Sequence, residues 1–408
     1  MERSAGLRKA YPWLILVSCC LLQGAGLGIV SNCAGVFFVP VMEEFGCSMS
    51  AISLHVTFNN VFQCIGTLFV ARVIRKYKVR YLIPAAGLIV GIAQISLAFS
   101  HSLIQWYICA VIQGFFIVYV TGIIIPLAIS NWFTERAGFA LGMTAMSAGL
   151  AGALMSALFG TLITDVSWRA AILVSGIAIL VMTVPASWFF MALDPKEKGC
   201  VPFGGEKQTT EEEVRGLGRI RIDIRVISIV MIASCASFST IFNNHFPAFG
   251  QMTGVVLVAP AILLSINMFG NMGFKIGFGS LNDYIGAKRT TLVSFFILGC
   301  SCFMLMTGND ILICIAAFLF GVNSLIATAQ GPLLAKDVWR RSEYPIALQI
   351  VQISVRLSYA VFSYVEGALF DLWGRYTPLL WLQVASVGVG VLFVFLLYAG
   401  RGKRTGRH

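Results

Sequence analysis

Apolar stretches recur along this chain with short polar breaks between them, and at about 20 residues each could cross a hydrocarbon core as a helix. Twelve are expected: 11–38, 51–73, 80–99, 103–129, 137–163 and 169–192, then 226–249, 254–281, 289–307, 311–334, 344–369 and 377–399. One polar interval is longer than the rest. It covers 194–225 and carries Glu211, Glu212, Glu213, Arg215, Arg219 and Arg221. Six spans, a long loop and six more spans is the layout of two parallel repeats, each built from inverted three-helix units. The expected fold class is therefore an all-α integral membrane protein with twelve transmembrane helices. Residues 1–193 form one six-helix bundle, 194–225 a cytoplasmic linker, and 226–408 a second bundle with a short basic tail.

Composition fits that solvent: 58% of residues are hydrophobic, 12% are charged, and mean hydropathy is +0.85. The formal charge of +11 does not point to nucleic acid, because the charges sit in the breaks and no basic face is interleaved with aromatics. With the N-terminus inside, inner segments carry 25 of the 29 Lys and Arg residues, and outer loops keep only Arg169 and Arg375. That bias places both termini and the linker in the cytoplasm. The first apolar run outlasts a signal-peptide core and is kept as a helix. The 11 cysteines lack metal-ligand spacing and read as small apolar residues, so neither metal nor cofactor is expected. Catalysis is not expected either, since H-E-x-x-H, G-x-S-x-G and paired membrane histidines are all absent from the sequence.

Polar residues inside membrane helices face protein or water rather than lipid. In the first half, Asn32 follows a G-A-G-L-G run at Gly24–Gly28 and either lines a cavity or bonds a neighbouring helix. His55, Asn59 and Gln63 stand four apart as one polar stripe, with His55 either titrating or simply hydrogen-bonded. Tyr119, near mid-span, serves a substrate oxygen or another helix equally well. In the second half, Asn243, Asn244 and His245 before Pro247 predict a bent outer end to the seventh span. Asn267, Asn271 and Lys275 lie on the eighth. On the eleventh, Gln349, Gln352, Arg356, Tyr359 and Ser363 recur at three- and four-residue steps and define one polar face.

Arg356 lies roughly 18 Å into its helix at 1.5 Å per residue, too deep for a rim charge. An isolated cation there costs on the order of 2.5–3.5 kcal/mol by insertion scales. Glu366 is near 15 Å further along the same helix, too far for direct pairing with it. Lys275 is closer to an inner end and either faces a cavity or snorkels. Together the two cations would focus a small anion, and arginine can grip a carboxylate with paired hydrogen bonds.

The stretch Lys275–Arg289 carries G-x-x-x-D-x-x-G-x-K, with Gly279, Asp283, Gly286 and Lys288, followed by Arg289. It resembles the signature between the second and third helices of a half-transporter in the major facilitator superfamily. At the equivalent first-half turn the pattern is degenerate: Ala71, Arg75 and Lys78 stand where glycine, aspartate and glycine are expected. The W-F-x-x-R turn at Trp132–Arg136 and D-x-x-W-R-A-A at Asp165–Ala171 resemble the oxalate–formate antiporter and monocarboxylate transporter branch. There a basic residue in the eighth span lies eight positions before the motif aspartate, and Lys275 is similar. The oxalate exchangers also carry a basic residue midway along the eleventh span, where Arg356 stands. Their arginine-then-lysine order is reversed here.

The resemblance implies a monomeric secondary transporter of a small mono- or dicarboxylate, such as oxalate, formate or lactate, in a plasma membrane, the bacterial inner membrane above all. Arg356, Lys275, Tyr119, Tyr359, Gln352, Asn267, Asn32 and Asn59 are the expected substrate-binding residues. Asp283, Lys288, Arg289, His55, His245 and Glu366 are expected in gating or coupling. Exchange of one anion for another is expected, because an empty site would hold two unneutralised cations. Proton symport and export of a neutral sugar or drug-like compound are the alternatives.

Overall fold

The computed structural model describes residues 2–122, 124–205, 223–340 and 343–399, and all regular structure within them is helical. Most of the linker expected at 194–225 and the basic tail therefore lie outside the described residues. Ten helices among the described residues are long and apolar enough to cross a membrane. This is a multi-pass integral membrane protein.

Two expected spans do not reach that standard, for different reasons. The span expected at 51–73 is a 28-residue helix, α3 (Met49–Lys76), but His55, Asn59, Asn60 and Gln63 lower its hydropathy. The span expected at 103–129 is broken. It starts as α5 (Leu103–Ile117), turns through Val118–Gly122, and resumes as α6 (Ile124–Trp132), which contains Pro126.

Contacts group the chain into two compact units, one of Met1–Gly46 and Phe58–Glu211, the other of Cys47–Thr57 and Glu212–His408. In the first unit, α1 (Glu2–Gln23) continues through a π-helical stretch at Gly24–Asn32 into α2 (Phe38–Phe45). The widened turn carries glycines against α7 (Ala137–Asp165), where a Cβ on Gly28 would sit 2.7 Å from the Ala151 methyl and 2.9 Å from the Ala148 carbonyl. Small residues thus bring these backbones together where water gives helices no hydrophobic drive to associate. Next come α4 (Val79–Leu97) and α8 (Trp168–Pro185), packed closely on each other.

Both branch motifs have structural work. Trp132 is fully buried, donates to the Ala192 carbonyl at 2.7 Å and stacks on Tyr11 at 5.2 Å. Residues 132–135 exchange backbone hydrogen bonds with Phe203, which anchors the start of the linker to this end of the unit. At the other end, Trp168 and Arg169 both donate to Glu44 at 2.6 Å, and Arg169 reaches the Ser100 carbonyl at 2.9 Å.

The second unit begins at Asp223, which caps α9 (Ile224–Ile241) by accepting from Arg225 and Val226 N–H groups. Partial burial alone would raise its pKa, but the Arg225 guanidinium at 2.6 Å and the backbone N–H groups of Val226 and Arg225 together outweigh this and hold the carboxyl below its ordinary range. A 3₁₀ turn at Phe242–His245 leads into α10 (Phe246–Thr253), with Pro247 in its first turn. The 46-residue α11 (Pro260–Leu305) is two helices meeting at Gly286, whose φ of 80° and ψ of 158° end the first. A Cβ at Gly286 would touch nothing within 4 Å, so conformation rather than space requires glycine there. After α12 (Asp310–Phe320), α13 (Val322–Leu325) and α14 (Gly331–Val338) come the long α15 (Tyr344–Trp373) and α16 (Thr377–Ala399).

Candidate functional site

The second unit holds Lys275 and Arg356 half-buried and His245 and Glu366 buried in its helices. Arg356 and Tyr359 are half-buried on α15. Tyr359 lies near Thr240 of α9 and near Arg356. One residue away, Ser358 shares a 2.9 Å hydrogen bond with Ser234, also of α9. That bond ties α15 to α9 two residues from Arg356. The remainder of the expected polar face divides: Gln349 and Gln352 are exposed, whereas Ser363 is buried and bonded to Thr57 at 2.7 Å.

Lys275 is half-buried on α11, one turn beyond the buried Asn271. The contact that positions this stretch lies just before it. Gly270 and Gly321 let α11 and the end of α12 meet backbone to backbone, and a Cβ on either would collide with main-chain atoms. Asn267 clamps the crossing, donating to the Ala317 carbonyl at 3.0 Å. Its amide N–H is thus committed to a neighbouring helix, while its carbonyl oxygen and that of Asn271 are buried without a protein partner. The side chain of Asp283 lies outside the described residues. Lys288 stands over the rings of Phe395 and Tyr398 at 5.3 and 5.1 Å, and Arg289 is exposed.

A second cluster joins residues distant in sequence. Glu366, fully buried on α15, accepts from Gln383 at 3.1 Å through one carboxyl oxygen. Its other oxygen lies 3.8 Å from the His245 Nε2, beyond hydrogen-bond reach. His245 Nδ1 is 3.3 Å from the Tyr376 hydroxyl. Gln383 in turn accepts from Ser239 at 2.8 Å, and Asn323 donates both to the Ser239 carbonyl and to Asn243. The broken end of α9, α13, the C-terminal part of α15 and the N-terminal part of α16 gather around one buried acid. Sequence reading singled out His245 and Glu366 but not their adjacency, nor Tyr376 and Gln383. The available signal was the pairing of a lone intramembrane acid with a histidine before a helix break.

In the first unit the singled-out residues bind neighbours. Asn32 donates to the Ala148 carbonyl at 3.4 Å. Asn59 donates to the Ala110 carbonyl at 3.5 Å and accepts from Gln63 at 2.7 Å. Gln113, Gln94 and Ser175 form a buried relay with links of 2.8 and 2.9 Å. Tyr119 is buried against Phe115 and Phe116. His55 is buried on the part of α3 that groups with the second unit.

The described residues form a helical membrane protein with polar and charged groups held within its helices. The family model described as the Major Facilitator Superfamily matches residues 16–271 and 257–407, and the chain belongs to that superfamily. It is a secondary transporter of the alternating-access type, not an enzyme. The chain is 24% identical to the human protein "Monocarboxylate transporter 6" over 183 residues, which are 43% of this chain and 34% of that protein. It is 21% identical to the uncharacterized MFS-type transporter YcxA of Bacillus subtilis (strain 168) over 411 residues, 97% of each chain. Among solved structures, the nucleoside transporter NupG superposes with a TM-score of 0.71 at 12% identity, covering 95% of this chain and 98% of that one. A bacterial homolog to the human lysosomal transporter Spinster, inward-facing and unoccupied, superposes with a TM-score of 0.64 at 12% identity, covering 97% and 96%. At such identities the structures define the fold alone.

Proposed function

We propose that this chain carries a small organic anion, a mono- or dicarboxylate, with Arg356 and Lys275 as the positive groups that attract it. The observation that carries the reading is Arg356, a guanidinium held deep in α15 beside Tyr359 rather than at a rim. A substrate carboxylate would be held by that guanidinium through paired charge-assisted hydrogen bonds. Tyr359 stands ready as a second donor. Asn267 and Asn271 each keep a buried acceptor oxygen, which suits a hydroxyl or a protonated acid. Gln352 is a proposed contact nearer the N-terminal end of α15. The name of the human relative accords with a monocarboxylate, and the nucleoside transporter's name with a neutral solute. The cations favour the former.

Exchange of anions remains the simplest cycle for a site with two cations. The His245–Glu366 pair favours a second cycle, proton symport, because a buried carboxyl 3.8 Å from an imidazole is a place where one proton can reside. The proposed setting is a plasma membrane with both termini cytoplasmic. Counterflow in proteoliposomes loaded with unlabelled oxalate, formate, lactate or a neutral sugar tests the substrate class. Uptake of the matching labelled anion supports it; uptake of the sugar alone contradicts it. Repeating uptake with an imposed pH gradient separates symport from exchange.

A further inference from the structure

The degenerate turn of the first unit has a chemistry of its own. Where the second unit has the glycine of φ 80° at Gly286, the first has Lys78 in an extended conformation, φ −66° and ψ 130°, leading directly into α4. Where the motif has its aspartate, this turn has Arg75. The turn therefore gathers cations rather than pairing them. Lys76, Lys78 and Arg80 line a cavity of about 580 Å³ together with Lys198 from the segment after α8. Glu197 is the one carboxylate on its wall. The amino terminus of α4 forms part of the lining, and Lys78 provides no side-chain cap for it, so the positive end of the helix adds to the field.

The surroundings indicate the depth of this cavity in a bilayer. Tyr77 and Tyr81 on its wall are 54% and 56% exposed. Tyr81 packs edge-on against the exposed Trp188 at 5.8 Å, and Phe189 and Phe190 follow, also exposed. Exposed tryptophan and tyrosine are enriched at the level of lipid headgroups. The opposite wall is firm. Lys198 lies over the Tyr11 ring at 5.7 Å, and Tyr11 bonds to the Phe190 carbonyl at 3.1 Å. A basic cavity at headgroup level, next to aromatics that tolerate acyl chains, suits a phosphate that arrives on a lipid.

We infer that this cavity binds the phosphate headgroup of an anionic phospholipid, with Lys76, Lys78, Arg80 and Lys198 as its donors. The site belongs to the first unit alone and is independent of the substrate proposed above. Occupancy would tie the turn before α4 to the segment leaving α8, and stabilise the fold by binding the native state.

The test uses the full-length protein purified in a neutral maltoside detergent. Native mass spectrometry and thermal unfolding would be followed during titration with phosphatidylglycerol, phosphatidylcholine and free glycerol phosphate. Phosphatidylglycerol is expected to give bound adducts and a higher Tm, with little effect from the other two. Lys78→Gln/Arg80→Gln should weaken phosphatidylglycerol binding about tenfold or more. A control pair remote in sequence, Lys336→Gln/Arg340→Gln, should not change it. Lys198→Gln gives a second reading from the other wall if the turn variant fails to fold. Equal binding of phosphatidylcholine, unchanged binding by the turn variant or by Lys198→Gln, or glycerol phosphate binding as tightly as the lipid would each overturn the inference.

Discussion

The two units use different polar chemistry. In the first, every buried polar side chain among the described residues is an amide or a hydroxyl: Gln113 to Gln94 to Ser175, Gln63 to Asn59, with serines and threonines returned to their own helices. In the second, Lys275 and Arg356 are half-buried, and His245 and Glu366 are buried outright. Glu366 is the one buried carboxyl among the described residues. Neutral relays hold helices together at about 0.6 kcal/mol per bond in membranes and change little with pH or ligand. Charged groups in the same environment are costly and are retained where something binds to them or titrates. The contrast accords with the proposal that buried polar groups of the first unit serve packing while substrate and proton chemistry belong to the second.

The largest expected effect attacks the scaffold of the second unit. Gly321→Val would drive a side chain into the α11 backbone at Asn267 and Asn271. Overpacking of this kind costs about 3 kcal/mol or more when main chain must move. Yield and Tm of the purified variant should collapse, whereas Gly273→Ala, one turn from Gly270 with the Phe318 ring in ordinary contact at 3.8 Å, should fold normally. Equal stability of the two would remove the α11–α12 crossing as the support for Lys275.

Glu366→Gln keeps the amide contact with Gln383 and deletes the titratable oxygen facing His245. Transport driven by a pH gradient should be lost, while exchange at equal pH should persist. Retention of gradient-driven uptake would show that the cluster is structural and would narrow the difference between the units. Lys275→Gln should weaken anion binding about tenfold, the lower end of a charge-assisted hydrogen bond of roughly 1.5–3 kcal/mol. Gln113→Leu in the first unit should leave affinity unchanged, and a comparable loss there would contradict the division of labour.

The smallest effect concerns a charge at the rim. Asp223→Ala should destabilise α9 by about 1 kcal/mol through loss of its cap. Because the folded carboxyl titrates below its ordinary range, its contribution is complete above the unfolded aspartate pKa and fades as pH falls through the lowered native value. Unfolding followed between neutral and acid pH should show the variant and wild type converging at the acid end. Substrate affinity should not respond.

Much of the architecture was legible in the sequence because the bilayer imposes a single length scale. The run of apolar stretches located ten of the spans, and the glycine of G-x-x-x-D-x-x-G-x-K marked where α11 breaks. The two spans that fall short do so through features also visible beforehand, the polar stripe on α3 and Pro126. Periodicity placed Arg356 and Tyr359 on one face of α15. It did not reveal that Gln352 is exposed, because helix rotation is set by contacts with α9 that no local pattern encodes. Asn267 illustrates the same limit: a polar residue inside a span reads identically whether it lines a cavity or clamps a helix crossing. The His245–Glu366 pairing is 121 positions apart and is created by packing.

The central claim is that Arg356 binds a substrate carboxylate. Direct binding of the transported anion to purified Arg356→Gln, with folding verified by Tm, measures it. Affinity should fall between about tenfold and over a hundredfold, with Arg356→Lys intermediate because it keeps charge but not the planar fork. A folded Arg356→Gln that binds the anion as tightly as wild type would contradict the organic-anion reading.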